Sequence, residues 1–366
     1  MFSGISVGRV PISTLSQGAI HLTSRIRSYR RVMSHHDHDH PLGPPSLIDR
    51  RTLLRVGGIG FGALLLAACA PKTMTSTTGT ASPSTAGATS SLSATSLPGF
   101  AEFAATVTTT LADGLWMIES DGMPEHEMMT GITSWQQQVP VPQPYTGANA
   151  WRFPSQPQLA DQPISARTSL YRGAIALAVN GVPIFNALNN RGDDAFLAGE
   201  LDSWGGHSGR ADDYHYHVAP LHLSERVGAG KPIAYALDGF PIYGITEPDG
   251  SNVTGLDELK GHDIGSGYHY HGTTTYPYIN GGLRGVVNVA GDQIDPQPMT
   301  RPFRPDGQPL SGATITSFTS SATGKYALTY SLDGGVGHVD YALSGSTITF
   351  TYIEPSGATR HETYTR

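Results

Sequence analysis

Two copies of one tetrapeptide decide the fold: Tyr214-His215-Tyr216-His217 and Tyr268-His269-Tyr270-His271. Each copy follows a matching run of neighbours, because 175–185 corresponds to 233–243 almost residue by residue. The offset between copies is 58 residues at the start and 54 at the end. A repeat of this length is usually one supersecondary unit. We therefore predict one mainly β domain, with α+β as the alternative, built from two duplicated units of about 58 residues around a pseudo-two-fold seam.

The units span about 173–230 and 231–285. In each, a buried strand is predicted first, at 175–179 and 233–237, and an Asn-Gly or Asp-Gly turn ends it. Short helices are predicted at 193–201 and 256–260. The whole repeat domain is placed at 100–300.

Three further segments flank the repeats within the folded part. A strand is predicted at 103–118, and a Pro- and Gln-rich ordered loop at 139–163. Residues 301–366 alternate at period two between Gly turns, which predicts a C-terminal β-meander of three or four strands docked on the main domain.

Residues 1–69 have the pattern of an export signal. Arg50-Arg51 opens a twin-arginine motif, an apolar run of 13 residues follows, and a lipobox ends at Cys69, the only cysteine of the chain. The run is too short to span a bilayer. We expect either Met1 or Met33 as the start, and Cys69 as a lipidated residue that anchors the protein outside the cytoplasm of a bacterial cell. The alternative is an uncleaved anchor with a buried cysteine.

The predicted tether, 70–99, is almost entirely Thr, Ser, Ala, Gly and Pro and cannot form a core. Residues 1–69 hold 8 of the 23 basic and 3 of the 30 acidic residues, which leaves 15 basic and 27 acidic residues in the rest. No basic stripe is present, so we expect no nucleic-acid partner and attribute membrane association to the lipid.

The histidines are the residues of this sequence that indicate a function. In a strand, alternate side chains share a face, so both imidazoles of one tetrapeptide point the same way. Two imidazoles at this spacing can bind one metal ion, and we predict that the two copies meet at the seam. The predicted ligands are His215, His217, His269 and His271, with His207 and His262, each the second residue of a Gly-His pair, closing the site or supporting it.

Asp202 and Asp257 precede those Gly-His pairs by the same spacing and are predicted to fix a histidine tautomer from the second coordination shell. Such a ligand set suits copper, zinc, nickel or iron and disfavours magnesium and calcium. We expect copper or zinc. The alternative interpretation is that the histidines form hydrogen bonds that only hold the fold.

With these motifs in view, the chain resembles the YHYH-domain family of exported bacterial proteins over about 114–285. The resemblance includes Ser120-Asp121-Gly122-Met123-Pro124-Glu125-His126 and implies that His126 is a further candidate ligand. The family often has cysteines where this chain has Trp204, Leu259 and Gly282. The resemblance implies no established activity.

Three functions follow as hypotheses. The first is a membrane-anchored lipoprotein that binds copper or zinc through the duplicated His-x-His motifs. The second is a metal-dependent hydrolase or oxidoreductase that uses the same site. The third is a structural β-domain without a metal. A closed four-imidazole site without a substrate cleft favours the first, and a three-ligand site in a pocket beside an unpaired carboxylate favours the second. Histidines that face apart, or that are each satisfied by the backbone, favour the third.

Overall fold

The computed structural model describes residues 97–321 and 323–366. The predicted signal region, Cys69 and nearly all of the predicted tether lie outside these residues. Leu97, which the sequence places in the tether, is buried with Phe100 in the hydrophobic core. Within the described residues no helix is long and apolar enough to span a bilayer.

The secondary structure is mainly β, as predicted. The strands of the described residues are, in chain order, β1 (Thr108–Ala112), β2 (Leu115–Glu119), β3 (Trp151–Pro154), β4 (Leu159–Ser165), β5 (Ala174–Ala178), β6 (Pro183–Phe185), β7 (Gly206–Ser208), β8 (Tyr214–Tyr216), β9 (Ala234–Ala236), β10 (Pro241–Tyr243), β11 (Gly261–Asp263), β12 (Tyr268–His271), β13 (Gly282–Gly285), β14 (Val289–Ala290), β15 (Gln293–Ile294), β16 (Thr314–Ser320), β17 (Lys325–Leu332), β18 (Gly335–Ser344), β19 (Thr347–Ile353) and β20 (Thr359–Thr365). One α-helix, α1 (Leu223–Val227), and two 3-10 turns, Phe100–Phe103 and Gly147–Asn149, complete the described elements.

The central sheet has eight strands in the order β11-β12-β10-β9-β5-β6-β8-β7. Counted outward from its antiparallel centre, β5 and β9, the two repeat units have the same strand order. The pairs β6–β8 and β10–β12 are both parallel, whereas β7–β8 and β11–β12 are antiparallel. The halves therefore have equivalent topology, and an origin by duplication stays a prediction.

The centre of this sheet is fully apolar. Strands β5 and β9 are buried along their whole length, as expected for strands covered on both faces. Tyr235 of β9 stacks on Phe100 and Phe153, at ring-centroid distances of 5.9 and 5.5 Å. Phe153 belongs to β3, in the small sheet β1-β2-β3. The segment 139–163, predicted to be a loop, thus contributes a strand to the packing.

Both predicted helices are wrong. Residues 193–201 and 256–260 form turns. Gly199 has φ +72° and Lys260 has φ +62°, which a right-handed helix does not allow. Asp257 also accepts hydrogen bonds from the backbone N–H groups of Leu259 and Gly261, and such local bonds compete with helix formation. The helix α1 was not predicted from the sequence pattern.

The C-terminal meander has five antiparallel strands, β16 to β20, one more than the upper prediction. It packs on the segment before the repeats: Trp135 lies 5.2 Å from Tyr330, measured between ring centroids. Arg304 joins the two regions, since it pairs with Asp212 at 2.7 Å and donates to the Tyr352 hydroxyl at 2.7 Å. Its core residues belong to the same hydrophobic cluster as the central sheet.

Candidate functional site

The two tetrapeptide strands lie far apart in the central sheet. Strands β8 and β12 do not meet at the seam, because β6, β5, β9 and β10 lie between them. Five inter-strand steps correspond to roughly 24 Å along the sheet. The predicted convergence of all four tetrapeptide imidazoles is therefore wrong. The structure instead forms two groups, which we call the first cluster (His207, His215, His217) and the second cluster (Glu247, His262, His269, His271).

In the second cluster, two strands bring three imidazoles to one face. His262 of β11 lies directly opposite His269 of β12, and His271 follows two residues later on the same face. Glu247 joins them from the loop between β10 and β11. One ligand atom from each of the four residues lies within 4.8 Å of all the others.

The tautomers of these imidazoles follow from their backbone contacts. In each one, Nδ1 lies beside a backbone carbonyl oxygen, which can only accept, so Nδ1 carries the proton and Nε2 carries a lone pair. The acceptors are Thr254, Gly267 and Gly244, for His262, His269 and His271 in that order, at 2.8, 3.2 and 2.8 Å.

The three lone pairs converge on the carboxylate. The Nε2 atoms of His262 and His269 are 3.1 Å apart. Glu247 oxygens lie 3.1, 3.1 and 3.4 Å from Nε2 of His262, His269 and His271. Nε2 of His271 is buried and has no hydrogen-bond partner among the residues that the structure describes. Lone pairs and a carboxylate at these distances repel one another unless a proton or a metal cation lies between them.

The first cluster has the same construction. His207 of β7 lies opposite His215 of β8, and His217 follows on the same face. Nδ1 of His215 contacts the Asp213 carbonyl at 2.9 Å, and Nδ1 of His217 contacts the Asn186 carbonyl at 2.5 Å. The Nε2 atoms of His207 and His217 are 3.1 Å apart, the same separation as in the second cluster.

One position distinguishes the clusters. Glu247 follows Pro241 by six residues, and Asn189 follows Pro183 by six. Both sit at the start of the same turn, since their N–H groups donate to Ser251 and Asp193 carbonyls. The Asn189 amide donates to Glu200 at 3.2 Å instead of reaching the imidazoles. Within the described residues, the first cluster therefore has no carboxylate that corresponds to Glu247.

The first cluster opens onto a cleft of about 530 Å³. All three imidazoles line this cleft, together with Arg191 and Glu200, which pair with each other. Arg191 is half exposed and also contacts Asp193 at 3.1 Å. Phe185 stacks on His215 with ring centroids 3.9 Å apart, which fixes that ring at the wall of the cleft.

Burial keeps several of these imidazoles neutral, the form that binds metals. Burial, and secondarily the neighbouring His215, lowers the pKa of His217 to about 3. The pKa of His207 is lowered by burial first and then by His215, His217 and Arg191. In the second cluster, burial lowers the pKa of His271, although Glu247 partly opposes this shift.

The two predicted second-shell aspartates have other partners. Asp202 accepts from the Tyr214 hydroxyl at 2.7 Å, and Asp257 accepts from the Tyr268 hydroxyl at 2.8 Å. Their remaining bonds go to backbone N–H groups, so their predicted role of orienting a histidine is wrong. They position the tyrosines that alternate with the histidines of the two clusters. Burial raises the pKa of Asp202 to about 6.

His126 belongs to neither cluster. Its Nε2 lies 2.7 Å from the Tyr216 hydroxyl, and its ring stacks on Trp204 at a centroid distance of 4.7 Å. Tyr216 points away from the face that carries His215 and His217, as the strand alternation requires. The prediction of His126 as a ligand of the same site is therefore wrong.

Sequence reasoning missed Glu247 and Arg191. The 58-residue offset was the available signal for Glu247, because it aligns this residue with Asn189 and marks an acid present in one copy only. No sequence pattern indicated a role for Arg191, because its place in the cleft depends on its pairing with Glu200.

Comparison with known proteins gives one match. Residues 150–254 match the family model described as YHYH protein. This range contains the first tetrapeptide and Glu247 and ends before His262. No curated protein and no solved structure matches significantly.

Proposed function

Residues 150–254 match the YHYH family, and we propose that this fold serves here to bind transition-metal ions, with the second cluster as the principal site. The observation that carries the proposal is the convergence of three Nε2 atoms and one carboxylate within 4.8 Å. All three Nδ1 atoms are already engaged by backbone carbonyls, so the ligand atoms are oriented before any ion arrives.

The donor set supports copper or zinc. Imidazole and carboxylate ligands suit zinc and copper, whereas magnesium and calcium prefer oxygen ligands throughout. Three imidazoles and one carboxylate complete the four positions of a tetrahedral zinc site, at about 2.0–2.2 Å from each ligand atom. Such a closed set favours holding a metal over activating a substrate.

The competing interpretation is a hydrogen-bonded group without a metal. It requires at least one extra proton among the imidazoles, shared with Glu247. The burial of His271 and the absence of a hydrogen-bond partner at its Nε2 support the metal instead, because an unsatisfied buried nitrogen costs about 1–3 kcal/mol.

Elemental analysis of the full chain, produced through its own export route and purified without a polyhistidine tag, tests the proposal. At least one equivalent of copper or zinc per chain is expected, and His271→Ala removes one equivalent. His338→Ala is the control, because His338 belongs to the meander and contacts Thr329. Equal metal content in the wild type and the His271 variant would disprove the principal site.

We also propose that the protein is a bacterial lipoprotein held outside the cytoplasm by lipid on Cys69. The twin-arginine motif and the lipobox support this. Twin-arginine export carries folded proteins, which allows the metal to be loaded before export. Labelling with an alkyne fatty acid should mark the wild type and not Cys69→Ser. An unlabelled wild type in a membrane fraction would contradict lipidation.

A metal-dependent enzyme is the second candidate function. The observation that favours it is specific to the first cluster, where three imidazoles without a carboxylate line a cleft of about 530 Å³. Catalytic zinc sites typically have three protein ligands and one open position.

A further inference from the structure

The first cluster leaves a bound ion incompletely coordinated. It supplies three nitrogen ligand atoms, within 4.8 Å of one another, and no carboxylate. Three neutral imidazoles also leave the full double charge of a divalent cation uncompensated. Both coordination and charge therefore favour a fourth, anionic ligand from outside the chain.

The cleft gives such a ligand access and room. Its volume of about 530 Å³ lies within the usual range for small-molecule sites, roughly 300–1,000 Å³. The three imidazoles form part of its wall, so a ligand in the cleft can reach an ion held by them.

The charges that line the cleft favour an anion. Three arginines line it (Arg172, Arg191 and Arg210) against two carboxylates (Glu200 and Asp213). Glu200 pairs with Arg191 and accepts a hydrogen bond from the Asn189 amide, and Asp213 accepts from the Ala211 N–H at 3.2 Å. Arg191 is 49% exposed although it is paired, so some of its donors remain open to a ligand.

We propose that the first cluster holds a second metal ion and that the cleft binds a small oxyanion, a carboxylate or phosphate group, with one oxygen on the open coordination position and with Arg191 as its counter-ion. This inference rests on the proposed metal-binding function. It assigns the ligand class of the cleft and separates the roles of the two clusters.

Cobalt substitution tests the inference in the full chain. The double variant Glu247→Ala/His271→Ala removes ligands of the second cluster, so bound cobalt reports on the first cluster alone. Inorganic phosphate and acetate are then titrated while the visible cobalt absorption is recorded. A saturable spectral change with either anion is expected, and the stronger of the two identifies the oxyanion.

Arg191 is tested in the same background. Arg191→Gln should weaken anion binding by at least about tenfold and leave the cobalt content unchanged, because a charge-assisted hydrogen bond is worth about 1.5–3 kcal/mol. Arg226→Gln is the matched control: it removes an equal charge from α1, where Arg226 pairs with Glu125 outside the cleft. Arg191→Gln/Glu200→Gln removes the whole ion pair, in case Glu200 cannot remain buried alone.

The outcomes separate this inference from the proposed function. Cobalt bound without any response to anions overturns the inference and leaves metal binding intact. A background variant without cobalt, beside a wild type that retains one equivalent, overturns the inference while the second cluster stands. A wild type that binds no metal overturns both. Equal anion affinity in the Arg191 and Arg226 variants overturns the role of Arg191.

Discussion

The first and second clusters use one backbone arrangement for two different ligand sets. In both, a Gly-His strand pairs with a Tyr-His-Tyr-His segment, and two Nε2 atoms stand 3.1 Å apart. In both, backbone carbonyls hold Nδ1 of the tetrapeptide histidines. The fold therefore orients the tetrapeptide imidazoles through equivalent carbonyls at the two ends of the sheet, although the close Nε2 pair is His207–His217 in the first cluster and His262–His269 in the second.

The difference lies in the turn that follows β6 or β10. Glu247 adds a negative charge and a fourth ligand atom to the second cluster. At the corresponding position, Asn189 contacts Glu200, and Arg191 brings a positive charge beside the first cluster. The residue at this one turn position thus distinguishes the two clusters. Glu247 supplies a fourth ligand atom with a negative charge, whereas Asn189 leaves three imidazoles without one. This difference supports the proposal that the repeated motif positions imidazoles for a cation, and that the following turn gives the two sites different roles.

The largest effect expected from this difference is on thermal stability. A metal that binds only the folded protein adds about 4 kcal/mol at a thousandfold excess over Kd, or roughly 8–16 °C in Tm. We expect a chelator to remove this gain, His271→Ala to abolish most of it, and His217→Ala to leave most of it, because three neutral ligands bind more weakly. Calorimetry with and without chelator measures all three. Equal losses in both variants would show that the carboxylate does not matter.

Exchanging the two turn residues sharpens the comparison. Glu247→Asn should weaken metal binding at the second cluster by at least about 100-fold, since even supporting residues outside the coordination shell contribute 10–100-fold. Asn189→Glu should tighten the first cluster and abolish its response to phosphate. Titration calorimetry gives the affinities. Glu258→Asn, an exposed glutamate close to the second cluster in sequence, is the control for lost charge. An unchanged affinity in Glu247→Asn would contradict the assignment of Glu247 as a ligand.

Much of this arrangement could be predicted from the sequence, for a physical reason. Alternation at period two fixes which side chains share a face, so the pairing of His215 with His217 and of His269 with His271 needed no structure. The mainly β class and the meander followed from the same alternation. The match between 175–185 and 233–243 placed equivalent strands in both halves.

Strand order was not predictable from the same pattern. A tetrapeptide says which face its histidines occupy but not which strands lie between it and its copy. The seam is formed by Ala174–Ala178 and Ala234–Ala236, in which alanines alternate with Ile175, Leu177 and Tyr235 and every residue is buried. The strands that carry the histidines, β8 and β12, therefore lie toward opposite ends of the sheet. The aspartates were misread for a similar reason, because the strand pairing brings Tyr214 and Tyr268, and not a histidine, to Asp202 and Asp257.

Alanine substitution of two equivalent glycines tests whether the two ends of the sheet differ in how tightly they are packed. A Cβ at Gly206 would lie 2.5 Å from the Tyr214 hydroxyl, and one at Gly261 would lie 2.1 Å from the Tyr268 hydroxyl. Tyr214 is 1% exposed and cannot move aside, whereas Tyr268 is 9% exposed. We expect Gly206→Ala to lower the free energy of unfolding by about 3 kcal/mol and Gly261→Ala by about 1 kcal/mol, within the range for overpacking. Urea denaturation measures both, and the reverse order would show that contact distance outweighs burial.

The smallest expected effect on stability comes from removing the hydrogen bond between a tyrosine hydroxyl and an aspartate carboxylate, and this effect depends on pH. Tyr214→Phe leaves a buried carboxylate short of one donor and should cost about 1–3 kcal/mol at pH 7, whereas Tyr268→Phe beside the exposed Asp257 should cost about 0.5–1.5 kcal/mol. The pKa of Asp202 is raised by burial from 3.8 to about 6, so the folded protein holds a proton in that window that the unfolded chain has lost. Stability therefore falls as pH rises from 3.8 to 6.

The Tyr214 hydroxyl opposes this shift by stabilising the ionised carboxylate, so its removal raises the pKa of Asp202 further and extends the window upward. The cost of Tyr214→Phe should consequently be larger at pH 8 than at pH 5, which denaturation at the two pH values measures in metal-free protein. Tyr268→Phe is the matched control for the loss of a phenol hydroxyl at the other end of the sheet. A cost of Tyr214→Phe that is the same at both pH values would mean that Asp202 stays ionised in the folded protein, and that its backbone donors, the N–H groups of Met129, Trp204 and Gly206, are enough to hold the charge.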